Sequence, residues 1–305
     1  MAIFRDANAA PHLHPVPNDV EDVKPTAIHD RPIGDIIRRK KKLSAEQVDQ
    51  VLQFQREKGV RFGEAAVALG LASDEDVLFA LSQQFHYPYA PDQRRELRSE
   101  LVTATQPFSH QAEAFRAIRS QLMMRLFTAD EPRRALAVVS PDPGDGKTFF
   151  AANLAVVLSQ LGGRTLLVDA DMRGPRQHEV FELDTSSGLS GILSGRAETN
   201  VIKHVPNLPS LFVLPVGITP PNPLELVERP AFGLLMRELL NKFDHVIVDT
   251  PAAAYGSDAS VIAARCGSAL VVARQGKSRV DRLQDLVGTL TGSPAKLAGV
   301  IMNEY

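Results

Sequence analysis

Two rhythms of apolar and polar residues divide this chain. Between about Pro32 and Pro88 the apolar positions recur at helical intervals, and they do so twice. Ile33-Gly34, Ser44, Val48, Leu52 and Gln55 are matched by Phe62-Gly63, Ser73, Val77, Leu81 and Gln84, each pair 29 residues apart. Ser44 with Gln47, and Ser73 with Asp76, set a capping residue and its partner three positions on, the signature of a helix start. The pattern predicts a small all-α domain over residues 30–90, built from two copies of one helical unit.

Further along, Glu113 to Phe127 has helical spacing, and short apolar runs then alternate with helical stretches. The runs are Ala135–Val139, Thr165–Asp169, Leu211–Pro215, His245–Asp249, Ala269–Ala273 and Leu297–Met302. Several are continuously apolar and rich in Val, Ile and Leu, as in parallel strands covered by helices on both faces. Strands separated by helices predict an α/β fold with a doubly wound parallel sheet over residues 108–305. Residues 91–107 are charged, contain two prolines and read as a linker. Residues 1–29 hold four prolines and no periodicity, the composition of a disordered tail.

Charge and cysteine content narrow the setting. The net charge of -2 gives no global drive toward nucleic acid. Cys266 stands alone, so no intrachain disulfide forms and a reducing, cytoplasmic setting is expected. No apolar run reaches the ~20 residues that cross a bilayer, and Arg5 and Asp6 lead into prolines and histidines, not into a signal sequence. Work at a membrane face would require recruitment by another protein.

The chemistry concentrates in LAVVSPDPGDGKTFF. An apolar strand enters a glycine-containing loop that opens a helix near Lys147, an order that aims backbone N–H groups and a helix N-terminus at phosphate. The cradle runs from Pro143 through Gly144, Asp145, Gly146, Lys147 and Thr148 to Phe149. Lys147 would reach the β- and γ-phosphates of ATP and the Thr148 hydroxyl would ligate Mg2+. The general pattern places glycine where this chain has Pro141. The strand ending VDADMR sets Asp169 and Asp171 at the ligand-binding edge of the sheet, with Arg173 close by, and the strand ending VDTP sets Asp249 there. Carboxylates beside a Lys-Thr loop supply what magnesium needs against phosphate charge.

Together with the EAFRAIRSQL helix, PPNPLELVERPAF and the closing GVIMNEY, these motifs resemble the bacterial P-loop tyrosine kinases, and among them the chain-length-determinant kinases of exopolysaccharide export. The resemblance implies an ATP-dependent tyrosine autokinase with Asp169 and Asp249 in the magnesium sphere and Asp171 orienting or deprotonating an acceptor hydroxyl. It implies further that Arg173 stabilises phosphate charge and that Asn303 matches a strand-end asparagine that contacts adenine. Glu113, Arg116 and Arg119 match the spacing by which these kinases join subunits into rings, so a homo-oligomer is expected. The family's tyrosine-rich tail has no counterpart: besides Tyr305 only Tyr87, Tyr89 and Tyr255 occur. Its activating membrane segments are also missing, which implies a separate membrane chain-length-determinant protein (a polysaccharide co-polymerase) as partner.

The helical repeat resembles the N-terminal domain of type II secretion ATPases, some relatives of which bind cyclic di-GMP. That motif wants arginine two residues before each glycine and glycine seven after. Arg61 and Gly70 satisfy it in the second copy, while Pro32 and Lys41 stand in the first. Two rival readings remain at this stage. A partitioning-type ATPase switch would carry lysine where Asp142 stands; a non-enzymatic adaptor would be gated by ATP or cyclic di-GMP.

Overall fold

The computed structural model describes residues 32–84, 97–128, 130–196 and 199–304, and these fall into a helical unit and an α/β unit. The helical unit contains α1 (Ile33–Lys41), α2 (Ala45–Lys58), α3 (Phe62–Ala68) and α4 (Asp74–Gln84). The 29-residue repeat is therefore two copies of a helix pair. Ser44 caps α2 in a complete capping box with Gln47. At α4, Ser73 and Asp76 exchange the equivalent bonds, Asp76 accepting from the Ser73 amide at 2.9 Å. Ile37, Val51, Ala65, Ala66 and Ala80 close a small core. Gly63 lets α3 and α4 approach, since a Cβ there would lie 2.7 Å from Val77.

Asp76 is the charged group of this unit that sits inside it, and it receives Lys40 at 3.3 Å and Lys41 at 3.0 Å. Burial alone would raise its carboxyl, but the bonds from Ser73, Lys41 and Lys40 together outweigh that and hold it far below the usual range. Two of the five charges in the run Arg38–Lys42 are thus paired within the fold.

In the α/β unit the strands are β1 (Ala135–Val139), β2 (Thr165–Asp169), β3 (Lys203–His204), β4 (Leu211–Leu214), β5 (His245–Asp249), β6 (Gly267–Arg274) and β7 (Lys296–Asn303). They form one sheet in the order β3-β4-β2-β5-β1-β6-β7, parallel except for the edge pair β3-β4. Every residue of β1, β2, β4 and β5 is buried, as the unbroken apolar runs require when helices cover both faces.

One face carries α7 (Lys147–Ser159), with α5 (Val102–Thr105) and α6 (His110–Arg125) outside it. Helix α7 is buried from Phe150 to Ser159, apolar nearly all round because it lies between the sheet and two other helices. The short α8 (Gln177–Val180) also packs on the α7 face, and the other face carries α9 (Leu189–Leu193), α10 (Pro223–Glu228), α11 (Pro230–Lys242) and α12 (Asp258–Cys266), with α13 (Val280–Thr291) beside β6 and β7.

Two expectations need correction. Residues 97–107 are not a linker but part of the α/β packing: Leu101 is fully buried, and buried Asn153 of α7 accepts from the Thr103 amide and hydroxyl at 3.0 Å each while donating to the Glu100 carbonyl at 2.9 Å. A buried amide so fully paired fastens this segment as firmly as a core side chain. The helix foreseen over Glu113–Phe127 starts earlier, at His110, because Ser109 caps it through the Ala112 amide. The tail at 1–29 and the two tyrosines around Pro88 lie outside the described residues.

Candidate nucleotide site

Strand β1 delivers the chain to Ser140 at the C-terminal edge of the sheet, and α7 starts at Lys147. Between them Gly144 and Gly146 have φ of 81° and 97°, the left-handed region that side chains resist. At Gly146 there is also no room, since a Cβ would lie 2.3 Å from the Asn303 amide nitrogen. The loop is braced from behind. The Asp145 carboxylate accepts from the Asp142 amide at 2.9 Å and the Ser278 hydroxyl at 2.8 Å, and Asn303 Nδ2 donates to the Asp145 carbonyl at 3.0 Å. Asp145 and Asn303 thereby hold the loop's shape with their side chains. Asp142, where a partitioning ATPase would carry lysine, pairs with Arg282.

Buried Lys147 donates to Ser140 Oγ at 3.0 Å. On neighbouring strands Asp169 and Asp249 stand directly in register, both fully buried. The two are not equivalent. Asp169 accepts three backbone amides: Asp171 at 3.1 Å, Arg176 at 3.1 Å and Gln177 at 3.0 Å. Asp249 accepts from Gln177 Nε2 at 2.8 Å through one oxygen, and its other oxygen, like Gln177 Oε1, is buried without a hydrogen-bond partner. Burial pushes the Asp249 carboxyl up to about 6 against the pull of Lys147. Burial, and after it the charge of Asp249, drive Asp169 well above the ordinary carboxylate range.

Asp171 does not join them. Its Oδ1 caps its own turn, accepting the amides of Arg173 at 3.2 Å and Gly174 at 2.9 Å. Among the described residues no three carboxylate, cysteine or histidine side chains converge as a metal cage. Arg173 forms a two-pronged pair with Asp258 of α12, both contacts 3.1 Å. Arg176 reaches Glu100 at 2.7 Å. A cavity of 380 Å³ opens over the loop, lined by Pro143, Gly144, Gly146, Lys147, Thr148 and Phe149 together with Asp171, Arg173, Gly174, Arg176, Ala252 and Tyr255.

The helix α6 triad is divided. Glu113 pairs with Arg116 at 3.0 Å and stays 65% exposed, while Arg116 is 19% exposed and also donates to the Pro107 carbonyl. Arg119 donates to the Val157 carbonyl of α7 at 2.7 Å. In one chain the two arginines dock α6 onto its own unit.

The CobQ/CobB/MinD/ParA nucleotide-binding domain matches residues 136–305, so this site is a nucleotide site. Tyrosine-protein kinase YwqD of Bacillus subtilis is 32% identical over 207 residues, which cover 68% of this chain and 86% of YwqD. The chain belongs to the bacterial P-loop tyrosine kinases. Tyrosine-protein kinase wzc of Salmonella typhimurium is 31% identical over 210 residues, but there this chain spans 29% of the relative's length. The solved kinase domain of Escherichia coli tyrosine kinase ETK superposes with a TM-score of 0.63 at 32% identity, covering 67% of this chain and 79% of that one.

Within that family fold, sequence reasoning had picked out the loop and the two in-register carboxylates, which the structure brings together. It missed Gln177, whose amide joins the Thr148 carbonyl at 3.1 Å to Asp249 and so couples α7, β5 and the segment after β2. It missed Ser140 as the partner of Lys147. Neither residue carries a signal beyond its position relative to the loop. Cyclic di-GMP gains no support: Lys40 and Lys41 neutralise Asp76, and the relatives are tyrosine kinases.

Proposed function

We propose that this chain is a Mg-ATP-dependent protein-tyrosine kinase that regulates exopolysaccharide chain length and export together with a separate membrane chain-length-determinant protein. The observation that carries the reading is the meeting of a lysine-bearing glycine loop with two in-register buried carboxylates at adjacent strand ends. The buried, unpartnered oxygens of Asp249 and Gln177 fit a site completed by a cation with its phosphate ligands. Thr148 and Asp249 would hold magnesium, with Asp169 beside them, and the metal would offset charge on the transferring phosphoryl group.

The chain's own groups do the rest. Lys147 exchanges its bond to Ser140 for phosphate oxygen. The loop amides orient the triphosphate, so catalysis rests on positioning and charge. Asp171, with one oxygen tied into its own turn, keeps the other for the acceptor hydroxyl. A second copy meeting the exposed Glu113 edge of α6 would form the homo-oligomer. Recruitment to the inner membrane face is assigned to the chain-length-determinant partner.

The test is labelled ATP with Mg2+ and the cytosolic tail of the membrane partner. Label on tyrosine that vanishes in Lys147→Ala supports the kinase. ATP hydrolysis with no labelled tyrosine ends that reading and favours a nucleotide-gated switch.

A further inference from the structure

Tyr255 sits six positions beyond Asp249, on the segment that leaves β5 at the ligand edge of the sheet. Tyr255 is 53% exposed, yet it lines the same cavity as Lys147, Thr148, Asp171 and Arg173. Its position is held by the phosphate loop itself. The short 3-10 turn Ala253–Tyr255 is tied by the Ala253 amide to the Ser140 carbonyl at 2.9 Å and by the Ala254 amide to the Pro141 carbonyl at 3.0 Å. A phenol on a turn fastened to the backbone of the loop that cradles phosphate, and sharing one cavity with Lys147, Thr148 and Asp171, has the setting that an internal nucleophile toward a terminal phosphoryl group needs. The wall also holds Arg173 and Arg176, cations suited to the dianion that transfer would leave on the ring.

Resting on the kinase reading, we propose that Tyr255 is the phosphoryl acceptor of its own chain. In that step a lone pair of Tyr255 Oη attacks the γ-phosphorus of ATP. The Oη–P bond forms while the bond from phosphorus to the β,γ-bridging oxygen breaks, ADP leaves with that electron pair, and the phenolic proton passes to the Asp171 carboxylate. Because donor site and acceptor share one chain, the reaction is unimolecular in protein and draws on the high effective concentration of a tethered group.

The full chain is incubated with Mg-ATP at several protein concentrations, and the modified residues are located by peptide mass spectrometry. A random Glu-Tyr copolymer in parallel tubes reports kinase activity independently of the internal acceptor. The proposal expects phosphate on Tyr255 at a rate per chain that does not change over a tenfold range of protein concentration, and at least a tenfold loss of total label in Tyr255→Phe. Binding of a fluorescent ATP analogue checks that this variant still takes nucleotide. Copolymer phosphorylation with Tyr255 unmodified, or with label confined to Tyr87, Tyr89 or Tyr305, overturns the acceptor assignment and leaves the kinase reading standing. A per-chain rate that rises in proportion to protein concentration overturns the intramolecular step. No label on either chain or copolymer overturns both.

Discussion

Asp249→Asn should make the nucleotide-free protein more stable while destroying its activity, and the size of the gain follows from the site. The Asp249 carboxyl is fully buried, lacks a partner on one oxygen, and is pushed from an ordinary 3.8 to about 6. A group whose value is raised on folding favours the folded state at low pH and withdraws that support as pH rises through the folded value. At pH 7.5 the ionised carboxylate therefore disfavours folding by about 3 kcal/mol relative to a neutral side chain of the same shape, from roughly two pKa units at 1.36 kcal/mol each. At pH 5, where the folded carboxyl is mostly protonated and the unfolded one mostly ionised, the same linkage leaves about half of that. An amide keeps the shape and can still meet Gln177. At about 2–4 °C per kcal/mol for a unit of this size, the α/β unit should melt roughly 6–12 °C higher at pH 7.5. Calorimetry in EDTA without nucleotide, at pH 7.5 and pH 5, measures both points. A variant that melts at or below the wild type at pH 7.5, or whose gain is as large at pH 5, refutes the reasoning.

Gly146→Ala should lose nucleotide binding and about 1–3 kcal/mol of stability, because φ of 97° and the Asn303 amide both oppose a side chain there; denaturant titration and a fluorescent ATP analogue read the two effects. Asp76→Ala should unfold the helical unit preferentially, leaving Lys40 and Lys41 without their partner, and helix content by circular dichroism reports it. In the wild type the support given by Asp76, whose carboxyl is lowered on folding, is present at neutral pH and is lost as acid protonates it. Glu113→Ala should shift the oligomer toward monomer in sizing experiments without changing the melting temperature, whereas Arg119→Ala should lower that temperature, because Arg119 bonds α7 of its own chain.

The parts of the fold that could be read from the sequence were those with strong local physics. Strands β1, β2 and β5 announce themselves because both faces are buried and almost every residue is apolar. The helix starts at Ser44 and Ser73 show because a cap is a short-range bond. Strand β3 was invisible, being two residues, Lys203 and His204, at an antiparallel edge with no apolar run. Residues 97–107 looked like a linker because their charges mask Leu101, and because the bond that secures them comes from Asn153, some fifty positions away. In the site, glycines and lysine are legible through their spacing, and the two carboxylates through their place at strand ends. Gln177 and Ser140 matter only through partners that the fold brings to them, and Asp171 and Arg173 were assigned to phosphate chemistry without their local bonds, to the turn at Gly174 and to Asp258.

The central claim is a magnesium-assisted triphosphate site between Lys147 and the Asp169–Asp249 pair, and calorimetric titration of ATP into the intact chain measures it directly. Affinity should fall by about tenfold or more when EDTA replaces magnesium, and again in Lys147→Ala, since a charge-assisted bond to phosphate contributes about 1.5–3 kcal/mol. Equal affinity with and without the metal, or an unchanged affinity in Lys147→Ala, would contradict the account.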